Sequence, residues 1–173
     1  MFFTGFLTVA IAILSGHAVT AQLCESPNKL CYDSPGSTPQ DVDVADIQFV
    51  ASYLRAYGAQ TRAGRQFTMT AATAPDCAEW SLYSHGSVLA TARHINSTAN
   101  SSVLFADIAN TIDGGASATD AQKAAALIGC GTAGGSLGTV YDPKNAQYNT
   151  STYLANDYTP SGILIKIVWS GAQ

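Results

Sequence analysis

Charge is scarce in this sequence. Of 173 residues only 8 are Lys or Arg and 12 are Asp or Glu, which leaves a net charge of −4. An acidic chain with so few cations is poorly equipped to bind nucleic acid, or an anionic membrane through a basic patch. Histidine is limited to His17, His85 and His94, and glutamate to Glu25 and Glu79. That is a thin stock for acid–base chemistry. A Ser-His-Asp triad could be assembled on paper from any of many serines. No Cys-x-x-Cys pair and no His at ligand spacing suggests zinc. The glycine-dense run from Gly129 to Gly138 lacks the Gly-Lys-Ser/Thr ending of a phosphate loop. No cofactor or metal is implied, and no catalytic residue stands out. The alternation places Asp76 and Glu79 on opposite faces of one strand, which disfavours them as a glycosidase pair.

Apolar residues, by contrast, make up 47% of the chain, enough for a packed core. Met1–Ala21 contains no Asp, Glu, Lys or Arg. It carries a short apolar run from Phe6 to Leu14 and then Val19-Thr20-Ala21. This reads as a signal peptide cleaved after Ala21, since the apolar run is too short to span a bilayer. Residues 22–173 are then expected to form a single secreted domain with no transmembrane segment. The four cysteines, Cys24, Cys31, Cys77 and Cys130, lie in that part and suit an oxidising compartment. They allow three pairings: one local between Cys24 and Cys31, and two that tie the N-terminus to the body. The long-range pairings would contribute roughly 3–5 kcal/mol each. Asn96, Asn100 and Asn149 head Asn-x-Ser/Thr sequons and are candidate glycosylation sites.

Residues 22–40 hold Pro27, Pro35, Gly36 and Pro39 and read as a turn-rich, cystine-bearing arm. A helix is predicted next, capped by Thr38 with Pro39 in its first turn. Val44, Ile47, Ala51 and Leu54 form its apolar face, and Gly58 ends it. Phe49, Tyr53 and Tyr57 make a second stripe, read as packing. Phe67–Ala71 is predicted as a strand. Ala78–Tyr83 and Val88–Ala92 are predicted as a hairpin about Ser84–Ser87, with Ala78, Trp80 and Leu82 on one face. Ser101 or Ser102 is expected to cap a helix through Leu104, Ile108 and Ile112, stopped by Gly114. A shorter helix follows from about Thr119 to Ile128. Residues 131–160 read as loop. Ile163–Trp169, apolar on both sides except at Lys166, reads as a central strand. The sum is an α+β fold: a small antiparallel sheet of about four strands, two to three helices on one face, and disulfide staples. Tyr141, Tyr148, Tyr153 and Tyr158 gather beside several Asn residues, a composition common in binding surfaces.

The order of these features resembles a known family. Cys77-Ala78 opens a strand, and the helix from Leu104 to Ile112 follows. Then come a glycine-rich stretch, the isolated Cys130 and the closing Ile167-Val168-Trp169-Ser170-Gly171. This resembles the necrosis-inducing-factor domain of secreted effectors from plant-pathogenic fungi, which is similar in layout to smut killer toxins. The resemblance spans about 46–171, and it departs where Ile47 stands in place of a cysteine. It implies a cystine-held, toxin-like scaffold without catalytic residues. Such a protein would bind an extracellular host protein, membrane component or glycan, and could induce cell death in a host. The alternatives from the residues are a wall- or glycan-associated structural protein, a killer-toxin-like antifungal, or a hydrolase using Glu79.

Overall fold

A computed structural model describes residues 23–171. The expected signal peptide, Met1–Ala21, lies outside them. The fold is α+β, with a five-stranded antiparallel sheet in the order β1 (Leu30–Cys31), β6 (Gly135–Gly138), β8 (Ile163–Trp169), β4 (Val88–His94), β3 (Glu79–His85). A second sheet orders β2 (Gln66–Met69), β5 (Asn100–Leu104) and β7 (Tyr158–Thr159). In it β5 pairs antiparallel with β2 and parallel with β7. The helices are α1 (Val44–Gly58), α2 (Phe105–Asp113), α3 (Asp120–Ala125) and α4 (Ser151–Ala155), with 3-10 turns between the later elements.

The strand β8 is central, as its sequence suggests. Opposite residues in a sheet share a face. Ala90 and Ala92 of β4 lie opposite Ile167 and Ile165, so small side chains alternate with large ones across the strands. Helices α1 and α2 cover this face through Ile47, Val50, Ala51, Leu54, Ile108 and Ile112, all buried. The opposite face carries Ser136, Lys166, Thr91 and Ser81 in one row across four strands. The N-terminal arm covers it. Cys24 N donates to Ile95 O, Gly138 N to Pro27 O, and Tyr32 N to Gly134 O. Two disulfides hold the arm down, Cys24–Cys77 and Cys31–Cys130. Both are long-range pairings, and the local Cys24–Cys31 alternative is not used.

Several expected boundaries are corrected. Helix α1 starts at Val44 and is capped by Asp43, whose side chain accepts from Ala45 N. Thr38 cannot cap it, because Gln40 N and Val42 N donate to the carbonyls of Ala133 and Thr132, and Asp41 between them has φ +53°. Ser101 and Ser102 do not cap α2. They are fully buried in β5, where they face Met69 and Thr68 of β2. The hydroxyls of Ser102 and Thr68 are 2.8 Å apart. Helix α3 is shorter than expected. A capping box between Thr119 and Gln122 starts it at Asp120, and it gives way to a 3-10 turn at Leu127. The expected loop 131–160 contains β6, α4 and β7. These are short segments that exist through their partners, since β6 is sandwiched between β1 and β8. This raises the strand count above the expected four.

Candidate functional site

The four tyrosines expected to form a contact surface do come together, but as a packed ladder. Ring centroids are 6.0 Å apart for Tyr141–Tyr148, then 5.4 Å for Tyr148–Tyr153 and for Tyr153–Tyr158. Tyr148 and Tyr153 are buried, whereas Tyr141 and Tyr158 close the two ends half-buried. The Tyr153 hydroxyl donates to Ser102 O at 2.6 Å. The Tyr148 hydroxyl donates to Asp107 Oδ2 and accepts from Leu104 N. Burial pushes both phenols well above their ordinary range, and the Asp107 carboxylate pushes Tyr148 further. These rings anchor the 139–159 segment to β5 and α2, which leaves Tyr148 and Tyr153 inaccessible to a partner.

The exposed aromatic surface lies elsewhere. Phe49, Tyr53 and Tyr57 recur every four residues on α1 and so share one face. The sequence reading assigns them to packing, yet Phe49 is 47% and Tyr53 41% exposed. They meet β3 through a bulge. Ser81 lies opposite Thr91 and Tyr83 opposite Ala90, so Leu82 is the extra residue. A bulge shifts the alternation by one position. Trp80, Tyr83 and His85 then all stand opposite core-facing residues of β4, namely Ala92, Ala90 and Val88. The expected grouping of Ala78, Trp80 and Leu82 packs against the core, and the bulge adds Tyr83 to it. Tyr83 stacks on Tyr53 at 3.6 Å and 11°, and His85 stacks on Phe49 at 3.7 Å and 17°. Tyr57 extends the row, edge-on to Phe105, with the Arg65 guanidinium 4.5 Å from its ring centre. A cavity of about 270 Å³ opens among Tyr53, Tyr57, Leu82, Tyr83 and Phe105. The helical spacing of the stripe was visible in the sequence. The bulge that completes it was not.

Ser, His and Asp also meet at the hairpin tip, in an order unsuited to a catalytic triad. Ser87 Oγ donates to Asp46 Oδ2 at 2.8 Å and accepts from Asp43 N at 2.7 Å. His85 Nε2 is 3.8 Å from the same carboxylate. A nucleophilic serine needs its proton on the histidine and a free lone pair. Here the Ser87 proton goes to Asp46, and His85 also faces Asp46. The two bonds from Ser87, backbone first and hydroxyl second, hold the Asp46 carboxyl below its ordinary value.

Glu79 sits in a charge cluster under the arm. Lys166 Nζ lies 2.9 Å from Glu25 Oε2 and 3.0 Å from Glu79 Oε2, and Arg93 lies 3.2 Å from Glu25. Thr91 Oγ1 donates to Glu79 Oε1 at 2.7 Å. Burial alone would raise this carboxyl. The bonds from Thr91 and Lys166 and the charges of Lys166 and Arg93 outweigh it, and the net shift is downward. A carboxylate held ionised in this way is unsuited to donating a proton. Asp76, its proposed companion, has φ +52° in the turn that precedes Cys77. His94 is buried, with its ring nitrogens 3.0 Å from Ala74 O and 2.9 Å from Met69 O, so it braces the 70–74 turn.

The three sequons differ in what their carboxamides already do. Asn96 Oδ1 accepts from Thr98 N and Thr98 Oγ1. Asn100 Nδ2 donates to Asn156 O, while its Oδ1 accepts from Ala71 N. Asn149 Nδ2 lies within bonding distance of Pro143 O and Asn145 O. Comparison of the chain with known protein families, curated proteins and solved structures found no match in any of the three.

Proposed function

We propose that this is a small secreted effector or toxin-like protein that acts by binding outside the producing cell, with the α1–β3 aromatic band as its contact face. The observation that carries this reading is the pair of face-to-face stacks, Phe49 on His85 and Tyr53 on Tyr83, left substantially exposed. Stacked rings offer large, rigid area at low entropic cost, and exposed aromatics flanked by Arg are typical binding anchors. The two disulfides support an oxidising destination. Among the described residues no helix is long and apolar enough to cross a membrane. The resemblance to necrosis-inducing fungal effectors is part of the proposal and supplies the expected target, a plant cell surface.

The test applies oxidised, fluorescently labelled protein to leaf cells and to yeast, and records binding together with ion leakage. The control is a Phe49→Ala/Tyr53→Ala variant with an unchanged unfolding midpoint. Saturable binding to leaf cells that the variant loses by about tenfold or more supports the reading. Binding only to yeast moves the target to competing fungi. Retention in the producer's own wall fraction, or equal binding by the variant, overturns it.

A further inference from the structure

Between α2, α3 and the segment that follows β6 lies a cavity of about 400 Å³ which the aromatic band does not include. Asp107, Asn110, Ala126, Val140, Tyr141 and Asp142 line it. Asp107 is only 9% exposed, and among the described residues no Lys, Arg or His pairs with it. Buried carboxylates are ordinarily paired with a cation. The hydrogen bond to this one comes from Tyr148, on Oδ2. The Tyr148 hydroxyl is itself fixed by Leu104 N, so a relay from backbone amide to phenol to carboxylate sets the orientation of Asp107. Asp142 adds a second negative charge near enough to be felt by the first. Ala125, Ala126, Val140 and Tyr141 supply an apolar wall, beside the amides of Asn110 and Gln122.

We propose that this cavity binds a small organic cation, an alkylammonium with a short apolar body, whose N–H donates to Asp107. The volume lies within the range of small-molecule sites. A metal ion is disfavoured, because no group of three or more His, Cys, Asp or Glu residues at ligating distance exists among the described residues. The ammonium would supply the missing counter-charge, and the apolar body would cover Ala126 and Val140. A free amine and a lysine side chain of a partner share this chemistry.

The test is an amide NMR titration of the oxidised mature chain with phenethylammonium, with 2-phenylethanol as the neutral isostere and N-acetyl-lysine amide as the protein-derived arm. The Leu104 amide reports on the relay. The expected result is a saturable Leu104 shift by about 10 mM ammonium, with the alcohol and the Asp107→Asn variant each weaker by roughly tenfold or more. Should Asp107→Asn not fold, Asp142→Lys at the exposed rim places a competing ammonium at the mouth, and binding is expected to fall by the same factor. Lysine amide binding as tightly as the amine identifies a protein side chain as the ligand, and weaker binding identifies a free amine. No saturable shift, or equal binding of alcohol and ammonium, overturns the site. This outcome is independent of the aromatic band, which lies on other residues.

Discussion

Gly86 and Asp46 approach so closely that a Cβ on Gly86 would lie 2.2 Å from Asp46 Oδ2. Gly86 also has φ +51°, the conformation expected of the first central residue of a II′ hairpin turn. Two requirements therefore coincide at one position: a left-handed backbone, and room for a carboxylate that accepts from both the amide and the hydroxyl of Ser87. This contact fixes the hairpin tip to the first turn of α1 and sets the register in which Phe49 meets His85. Gly86→Ala is expected to cost roughly 2–4 kcal/mol. Gly36→Ala, with φ +87° and nothing near its missing side chain, serves as the comparison. It should cost only about 1–2 kcal/mol. Urea unfolding midpoints of the oxidised variants check the difference, and equal losses would show that the Asp46 contact contributes nothing.

The disulfides make a separate prediction. Peptide mapping without reduction should return Cys24–Cys77 and Cys31–Cys130, with no Cys24–Cys31 peptide. The pairs close chain separations of 53 and 99 residues. In the chain-entropy model these are worth about 4 and about 5 kcal/mol when taken singly. Cys31→Ser/Cys130→Ser should therefore lower the unfolding free energy at least as much as Cys24→Ser/Cys77→Ser. The first change unties β1 from the 3-10 turn that holds Cys130. The second frees the start of the arm, where Glu25 meets Lys166 and Arg93.

Strong local patterns were readable without coordinates, and partner-dependent ones were not. The hairpin of β3 and β4, the helical spacing of Ile108 and Ile112, the stop at Gly114 and the run of β8, apolar except at Lys166, all follow from periodicity and turn chemistry. Ser101 and Ser102 misled because serine is a good helix cap. In the fold, Gly162 passes so close to Ser101 that a Cβ there would overlap its hydroxyl, and only a buried strand of small residues fits that gap. Strands β1, β6 and β7 show no alternation, since each is two to four residues long and is defined by its neighbour. The Tyr-rich segment was recognised as a group, but composition does not tell which rings face inward. Tyr148 and Tyr153 are drawn in by acceptors on β5 and α2 that are distant in sequence.

Two carboxyls should respond to pH with opposite sign. Burial, partly offset by the bond from Tyr148, raises the Asp107 carboxyl above its unfolded value of about 4. The fold thus favours its protonated form. That contribution is fully present below the unfolded value and is lost as pH rises through the raised native one. Asp107→Asn keeps an acceptor for Tyr148 and should be more stable than the wild type at pH 7, with the gain disappearing in acid. Glu79 is lowered despite its burial, because Thr91 and Lys166 bond its ionised form. Its contribution is present above the unfolded value and is lost as pH falls through the native one. Glu79→Gln should be less stable at pH 7, and the difference should close in acid. Thermal melts of both variants between pH 3 and 8, a range chosen to bracket the carboxyl values, decide the matter. A gain for Glu79→Gln at pH 7 would contradict the charge cluster.

Sequon use should follow the carboxamide bonding. At Asn96 the side-chain oxygen accepts from Thr98, the third sequon residue, and among the described residues Nδ2 makes none of the backbone contacts that hold the other two sequons. A glycan there costs the fold no hydrogen bond. At Asn100 the amide bridges β5 to Asn156, and Ser102, the third sequon residue, is fully buried beside Thr68 and Gln66. At Asn149 the amide faces two carbonyls that close the 143–149 turn. Glycans at these sites would crowd contacts that hold β5 and the tyrosine ladder in place. Expressed through a eukaryotic secretory route, the folded protein should carry its principal glycan on Asn96, with Asn100 the least occupied. Enzymatic release in heavy-oxygen water, followed by peptide mass mapping, reads occupancy at each asparagine. Asn96→Gln should remove most of the glycan mass while leaving the unfolding free energy within about 0.5 kcal/mol of the unmodified chain. Full occupancy of Asn100 in natively folded protein would mean that the β5–Asn156 bridge is dispensable.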